Sequence, residues 1–213
     1  MFHDTVFPNQ WRTATVIAFP KPGKDHSDSN NYRPIALTNC IVKTLERIVN
    51  RRLYEYLIMH KKISPVQCGC RRNRSTTDHL VRLETSIRTA FVHREHMIRI
   101  FFDLLKAYDA TWKYWILSDL YDMGLKRRLL LFIQQFLCNR SFRVIMGQHL
   151  SDWYTQEEGV PQGCVLSVTL FAVKVNQLGN IIPSDPKFLS SLYVDDFQLS
   201  YRDVSLVTVG RKL

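Results

Sequence analysis

The stretch Tyr193-Val194-Asp195-Asp196 places two adjacent carboxylates between two largely apolar runs, 188–192 (FLSSL) and 197–201 (FQLSY). Two strand-like runs around a short polar tip predict a β-hairpin. Like charges this close together repel each other unless a cation lies between them. The tip is therefore a candidate site for a hard divalent ion such as Mg²⁺. A solvated polar turn is the alternative, because Asp is also favoured in turns.

A third carboxylate, Asp103, ends the mostly apolar run Met97–Phe102 (MIRIFF), which predicts a largely buried strand. Neighbouring strands could bring Asp103 and Asp195 together at one end of a sheet. Carboxylates in that position can hold two metal ions roughly 3.5–4 Å apart, the arrangement for in-line phosphoryl transfer. The alternative role for Asp103 is to cap the following helix, but the residue ends its strand several positions before that helix.

Hydrophobic periodicity predicts the other elements: a strand over 13–19, a polar loop over 21–33, helices over about 40–59, 75–93, 112–123, 126–138 and 164–179, and a hairpin over 141–154. This mixed order of strands and helices indicates an α+β fold. The first helix has Ile41, Leu45, Ile48, Val49, Leu53, Tyr56 and Leu57 at helical spacing. The second has Leu80, Leu83, Ile87 and Phe91 on one face.

Helix starts are also marked in the sequence. Thr38 or Asn39 is expected to cap the first helix, and Ser75 with Asp78 forms a capping-box-like start for the second. Asp109 is expected to cap the helix that follows it.

Five segments, in this order along the chain, resemble the motifs of reverse transcriptases. Residues 21–25 (KPGKD) with 32–35 (YRPI) match the basic finger motif, and 67–78 (QCGCRRNRSTTD) is typical of non-LTR, LINE-like retrotransposons, most of all the jockey type. Residues 102–109 (FDLLKAYD), 159–167 (GVPQGCVLS) and 193–196 (YVDD) resemble the three catalytic motifs. The matches extend from about Trp11 to about Gln198, so the resemblance covers nearly the whole chain.

The resemblance implies a right-hand polymerase fold in which residues 1–95 form the fingers and 96–213 the palm. The palm is expected to be an antiparallel sheet backed by helices. Only 17 residues follow Asp196, so we expect the palm to be incomplete and the thumb to be absent from this chain.

The resemblance also assigns the catalytic residues. Asp103, Asp195 and Asp196 are expected to act in catalysis and to bind metal, together with the backbone carbonyl of Leu104. The implied cofactor is a pair of Mg²⁺ ions, with Mn²⁺ as a substitute.

By the same resemblance, Tyr108 lies under the sugar of the incoming nucleotide, where its ring excludes a 2′-hydroxyl. Lys24 and Arg33 are candidates for triphosphate contacts, because lysine offers a point charge and arginine a planar fork of donors. Gln162 and Gly163 are expected to lie against the nucleotide and the template base. The alternative for Tyr108 is a packed core tyrosine, and the alternative for Lys24 and Arg33 is a solvated basic loop.

Charge indicates the class of partner. The chain carries a formal net charge of +10, which favours a polyanion such as nucleic acid. Arg71, Arg72 and Arg74 are candidates for contacts to template phosphates, and a simple exposed basic turn is the alternative. The expected partners are an RNA template with a DNA primer and dNTPs, and we infer no obligate protein partner.

No apolar run approaches the roughly 18 residues of a membrane span, and Met1–Asp4 does not start a signal peptide. The five cysteines are expected to be reduced thiols in an intracellular protein. The resemblance favours the nucleus, for target-primed insertion, with the cytoplasm as the alternative.

The resemblance thus implies an RNA-directed DNA polymerase fragment of a non-LTR retrotransposon that adds dNTPs to a primer 3′-hydroxyl by two-metal phosphoryl transfer. The alternative is a catalytically inactive retrotransposon remnant that only binds nucleic acid. An RNA-dependent RNA polymerase or an intron maturase is disfavoured by Tyr108 and by segment 67–78.

Overall fold

The computed structural model describes residues 7–69, 71–104 and 106–213. The strands are β1 (Thr13–Pro20), β2 (Tyr32–Leu37), β3 (His96–Asp103), β4 (Arg140–Met146), β5 (His149–Leu150), β6 (Tyr154–Gln156), β7 (Phe188–Tyr193) and β8 (Asp196–Asp203). The helices are α1 (Cys40–Met59), α2 (Thr76–Val92), α3 (Lys113–Asp122), α4 (Arg128–Leu137), α5 (Val165–Val175) and α6 (Leu206–Lys212), with short 3₁₀ turns at Asn9–Trp11, Ser29–Asn31 and Asn176–Gly179.

The described residues form two compact units. The first draws on residues 7–60 and Tyr108–Phe171, and the second on the described residues within Lys61–Ala107 and Ala172–Leu213. The expected division into fingers (1–95) and palm (96–213) concerns polymerase subdomains, which these units do not define, and it stays a prediction.

The sheet of the first unit is mixed. Its strands follow the order β2-β1-β4-β5, and β6 also pairs with β4. β2 runs antiparallel to β1, with Arg33 opposite Phe19, whereas β4 runs parallel to β1, with Ser141 opposite Thr13. The predicted strand 13–19 and the predicted hairpin over 141–154 therefore belong to one sheet. β2 is a strand that the sequence pattern did not predict.

The buried face of α1 agrees with the predicted one at Val49, Leu53 and Leu57 and differs from it at Ile41 and Ile48. Asn39 caps the helix as expected, since its Oδ1 accepts a hydrogen bond from the Ile41 amide at 2.8 Å. The buried residues are Val42, Glu46, Val49, Leu53 and Leu57. Ile41 and Ile48 are 67% and 48% exposed, so their predicted burial is wrong. The buried face also includes Glu46, a charged residue that a hydrophobic pattern does not select.

The second unit is built on an antiparallel sheet with the order β3-β8-β7. Helix α2 packs on β7 and β3, and α6 packs on β3 and β8. This arrangement confirms the prediction of an antiparallel sheet backed by helices. It also confirms the hairpin, because β7 and β8 pair antiparallel up to Tyr193 and Asp196.

Strand β3 is more exposed than predicted. Phe101 and Phe102 are 64% and 42% exposed, although the apolar run predicted a largely buried strand. The reason is topological, since β3 pairs with β8 at one edge of the three-stranded sheet. Asp103 nevertheless ends the strand as predicted.

Helix α2 begins with the predicted capping box of Ser75 and Asp78. Its buried face is not the predicted one: Leu80 is 60% and Phe91 77% exposed, whereas His79 and Ala90 are buried. Helix α3 begins at Lys113 with Trp112 as its N-cap residue, so the prediction that Asp109 caps this helix is wrong.

No helix in the described parts of the chain combines the length and the apolar character needed to cross a membrane. The four described cysteines, Cys40, Cys68, Cys138 and Cys164, are free thiols. Cys70 lies outside the described residues.

Candidate active-site residues

Three carboxylates meet at one end of the sheet in the second unit. Asp103, the last residue of β3, is the register partner of Asp196, the first residue of β8. Asp195 lies in the two-residue turn that joins β7 to β8, directly before Asp196. Asp103 and Asp196 are exposed, and Asp195 is half-buried. The pairing of β3 with β8 thus brings together residues that lie far apart in the sequence, as the pattern predicted.

These side chains have the chemistry that a hard divalent cation requires, because Mg²⁺ prefers carboxylate and carbonyl oxygens. The backbone carbonyl of Leu104 follows Asp103 directly. Across residues 7–69, 71–104 and 106–213, no group of three or more His, Cys, Asp or Glu side chains is arranged so that it could hold a metal ion. Opposed carboxylates repel each other, and a cation between them would reduce that repulsion.

A buried polar network, which the sequence pattern did not reveal, lies behind the carboxylate hairpin. The Nδ1 atom of His79 is 2.6 Å from Ser191 Oγ on β7, and its Nε2 atom is 2.5 Å from Gln198 Nε2 on β8. Arg99 on β3 donates to Gln198 Oε1 at 2.8 Å. The Gln198 amide nitrogen is a donor, so His79 Nε2 must accept and the ring is neutral.

Electrostatics agree with a neutral ring. Burial lowers the pKa of His79, the positive charges of Arg99 and Arg82 lower it further, and the negative charge of Asp196 opposes them. The imidazole ring also contacts the Tyr193 ring, with centroids 5.9 Å apart. His79 therefore connects α2 to both strands that carry the carboxylates.

The first unit contains the predicted nucleotide residues Tyr108, Gln162 and Gly163. Backbone hydrogen bonds join the chain around Tyr108 to the motif 159–167. The Val160 amide donates to the Tyr108 carbonyl and the Gly159 amide to the Thr111 carbonyl, both at 2.9 Å. Gln162 Nε2 donates to Asp109 Oδ1 at 3.4 Å. These bonds hold the two sequence motifs side by side.

The ring of Tyr108 stacks on Phe171, with centroids 4.7 Å apart and planes 22° apart. The side chain is half-buried, so it is neither a fully packed core tyrosine nor a free surface ring. Stacking of this kind fixes the ring plane.

Gly163 is required by its own surroundings. Its φ is +109°, and a Cβ atom there would lie 2.6 Å from the Ala36 carbonyl oxygen on β2. The Ala36 amide donates to the Gln162 carbonyl at 2.6 Å. Close packing against β2 is thus sufficient reason for the glycine, alongside the predicted approach of a nucleotide.

A cavity of about 340 Å³ opens beside this loop, within the first unit. Its lining combines apolar residues of β1, β2 and β4 with polar residues of the loop: Val16, Ala36, Val144, Asp109, Glu158 and Gln162. The volume falls within the range of small-ligand sites.

Glu46 is a second residue that the sequence analysis missed. It is fully buried in α1, and its Oε2 accepts hydrogen bonds from the first amides of α5, Val165 at 2.6 Å and Leu166 at 3.2 Å. A carboxylate there satisfies amides that have no partner within the helix. Burial raises the pKa of Glu46, and the two amide bonds oppose that shift. A charged residue on the apolar face of α1 was the available signal.

The predicted basic contacts occupy different settings. Lys24 lies in the loop before β2, Arg33 lies on β2, and both side chains are exposed in the first unit. In the second unit, Arg71 donates to the carbonyls of Ser64 and Gln67 at 3.3 and 3.4 Å, so it also supports its own chain. Arg74 pairs with Asp78 at 4.0 Å, and Arg72 is exposed.

A family model described as reverse transcriptase (RNA-dependent DNA polymerase) matches residues 19–206. The chain belongs to the reverse transcriptase family. The match includes every one of the carboxylates and nucleotide residues described above.

Curated relatives agree with this assignment. The chain is 30% identical over 199 residues to a probable RNA-directed DNA polymerase from transposon BS of Drosophila melanogaster, covering 92% of this chain and 22% of the relative. It is 28% identical over 205 residues to the RNA-directed DNA polymerase from mobile element jockey of the same species, covering 94% and 22%. This reverse transcriptase chain therefore spans about a fifth of the length of these relatives.

Solved structures show the fold at low sequence identity. An apo telomerase of Candida tropicalis, truncated from the C-terminal domain, superposes with a TM-score of 0.65 at 13% identity, covering 97% of this chain and 46% of that one. A telomerase of Candida albicans in complex with a TWJ fragment of telomeric RNA gives 0.68 at 13% identity, covering 96% and 40%. These structures support the right-hand polymerase fold of the reverse transcriptase.

Proposed function

We propose that this chain carries the polymerase centre of a non-LTR retrotransposon and extends a DNA primer by copying an RNA template. The observation that carries the proposal is the pairing of Asp103 with Asp196, next to Asp195, in a chain of the reverse transcriptase family. The relatives from transposon BS and mobile element jockey support the retrotransposon assignment.

In this proposal Asp103, Asp195 and Asp196, with the Leu104 carbonyl, hold two Mg²⁺ ions, or Mn²⁺ in their place. Two bound ions would supply activation of the primer 3′-hydroxyl and neutralisation of the leaving pyrophosphate. The contribution of the chain is placement and charge, because phosphoryl transfer needs little covalent help.

Tyr108 would select deoxynucleotides. Its ring plane is fixed by Phe171 and its carbonyl by the Val160 amide, so the ring yields little to a bulkier sugar. A 2′-hydroxyl is the group that distinguishes RNA from DNA building blocks. Gln162 and Gly163 would lie against the nucleotide and the template base.

Basic side chains would bind the phosphates. The exposed Lys24 and Arg33 are suited to the triphosphate of a dNTP. Arg71, Arg72 and Arg74 are suited to the template backbone, where such contacts add affinity without sequence choice. The partners are thus an RNA template with a DNA primer and dNTPs, without an obligate protein partner.

Primer extension tests the proposal. The parent chain and Asp195→Asn are compared on poly(rA)–oligo(dT) with Mg²⁺ and dTTP, after circular dichroism has shown that both fold alike. Extension by the parent alone is the expected result. Equal extension by both proteins would refute the assignment of the carboxylates.

A second candidate function is nucleic-acid binding by an inactive remnant. It is favoured by the finding that, in the described ranges, no three ligating side chains stand ready to hold a metal ion. Absence of extension by the parent, with the duplex still bound in a salt-dependent way, would support this candidate over catalysis.

By the same family analogy we propose that the protein acts in the nucleus, with the cytoplasm as the alternative. Fluorescence imaging of the tagged chain in cultured cells distinguishes the two.

A further inference from the structure

Residues Val66–Gly69 lie along the free edge of β7, next to the turn that carries the carboxylates. The Cys68 amide donates to the Leu192 carbonyl at 2.7 Å, and the Leu192 amide donates to the Val66 carbonyl at 3.0 Å. Gln67 and Leu192 form an isolated parallel bridge. The segment therefore extends the sheet by a single parallel bridge, close to the turn between β7 and β8.

The side chain of Gln67 reaches the turn itself. Gln67 is fully buried, and its Oε1 accepts hydrogen bonds from the Gly69 amide at 2.9 Å and the Val194 amide at 3.4 Å. Both partners are donors, so the oxygen of the carboxamide must face them. The Gln67 Nε2 atom is buried without a hydrogen-bond partner among the described residues.

The unpaired Nε2 donor makes Gln67 an unfavourable choice for stability alone. A buried polar group without a partner destabilises the folded state. A side chain chosen only for stability at this position would be apolar. The advantage of a carboxamide here is its oxygen, which bonds to the turn.

The turn needs such support because Val194 has a φ of +58°. This conformation is rare and strained for a β-branched residue, and it persists only where the surroundings enforce it. Gly69 presses on the turn from behind: a Cβ atom on Gly69 would clash with the Val194 backbone nitrogen and lie 3.1 Å from the Tyr193 carbonyl carbon. Only glycine allows the two backbones to approach this closely.

We propose that Gln67 and Gly69 are positioning residues that hold Val194 in its strained conformation and thereby fix Asp195 and Asp196 relative to Asp103. The role of the fixed carboxylates rests on the proposed function. The mechanical part of the proposal, that Gln67 holds the turn, does not.

The first test measures the turn directly. Gln67→Met keeps the size of the side chain and removes the acceptor, so hydrogen exchange at the Val194 amide should become at least about tenfold faster in the folded protein. The control is Val209→Ala, which shortens a buried side chain in α6. It should lower the melting temperature without changing exchange at Val194. Unchanged exchange in Gln67→Met would overturn the proposal.

The second test asks whether strain at Val194 is what Gln67 opposes. In the parent background, Gln67→Met should lower kcat for dTTP by about 10–100-fold, as misplacement of reacting groups does, with little change in KM. Glycine adopts a positive φ freely. In a Val194→Gly background, Gln67→Met should therefore lower kcat by a clearly smaller factor. An equal fall in kcat in both backgrounds would refute the proposal.

The two readouts separate this proposal from the proposed function. If the parent does not extend primers, polymerase activity fails as a function of this chain, and hydrogen exchange alone decides whether Gln67 holds the turn. If the parent extends primers and Gln67→Met changes neither exchange nor kcat, the positioning role is refuted while the polymerase function stands.

Discussion

Asp103 at the end of β3 is the register partner of Asp196 at the start of β8, so two carboxylates face each other across the strand pair. Directly opposed like charges destabilise a sheet. The arrangement therefore sets the stability of the sheet against the metal-binding role that we propose for the same two residues.

From this relationship we predict that Asp103→Asn abolishes primer extension and yet raises the melting temperature by about 1–3 °C in metal-free, low-salt buffer. Differential scanning fluorimetry checks the second effect. Added Mg²⁺ should stabilise the parent more than the variant. A variant that is less stable than the parent without metal would show that repulsion between the two carboxylates is unimportant.

Sugar selection should depend on Tyr108. The substitution Tyr108→Ala removes the ring that stacks on Phe171 and is expected to admit ribonucleotides. The ratio of kcat/KM for dTTP to that for rUTP should fall by about 10-fold or more, as expected when a steric exclusion is lost. Tyr108→Phe keeps the ring and is the matched control, with selectivity close to that of the parent. Unchanged selectivity in the alanine variant would show that Tyr108 does not select the sugar.

The buried carboxylate of Glu46 should matter for stability. Glu46→Leu leaves the Val165 and Leu166 amides without their acceptor and should lower the free energy of unfolding by about 1–3 kcal/mol. Urea denaturation checks this value. Glu46→Gln keeps an acceptor oxygen and should lose less. Equal losses in both variants would show that the hydrogen bonds are not the reason for the buried side chain.

The same residue predicts a pH dependence. Burial raises the pKa of Glu46 above its ordinary 4.5, so the folded state binds this proton more tightly than the unfolded state. The contribution of Glu46 to stability is then complete below pH 4.5 and is lost as pH rises through the raised pKa. Relative to Glu46→Gln, the parent should lose stability over that range, and a constant difference between the two would contradict the prediction.

His79 should change stability with pH in the opposite direction to Glu46. Burial lowers its pKa below 6.5, so the unfolded state takes up a proton that the folded state refuses. The parent should lose stability as pH falls from 6.5 through the lowered pKa. Chemical denaturation of the parent and of His79→Gln, which stays neutral, measures the difference between pH 5 and 8. A parallel pH dependence in both proteins would exclude the neutral imidazole as its source.

Several features were predictable from the sequence because they depend on local patterns. The hairpin tip at Asp195 lies between two largely apolar, strand-like runs, and the capping box of Ser75 and Asp78 depends on a spacing of three residues. The approach of Asp103 to the carboxylates of the hairpin was predictable for a different reason, since neighbouring strands can bring a carboxylate at the end of one strand to a hairpin tip at the same end of the sheet.

The buried faces of α1 and α2 could not be predicted in the same way. A hydrophobic pattern assigns Ile41 and Leu80 to the interior, but the structure exposes both and buries Glu46 and His79. These polar residues are buried because of particular partners, the amides of α5 and the side chains of β7 and β8. The partners are distant in sequence, so no local pattern reveals the hydrogen bonds that make burial favourable.

The role of Gln67 was hidden for a related reason. Its position in the motif 67–78 indicated a family, whereas its physical task depends on the φ of Val194 and on the register of Leu192. Both are properties of the folded chain.

The close packing of Gly163 on Ala36 and of Gly69 on Val194 has a consequence for genomic copies of such an element. A copy released from selection accumulates substitutions anywhere, and the three carboxylates can survive by chance after the protein has ceased to work. One methyl group at Gly163 or Gly69 would meet backbone atoms that cannot move aside. A substitution at either glycine therefore indicates that a copy no longer encodes a working protein, even where its aspartates remain intact.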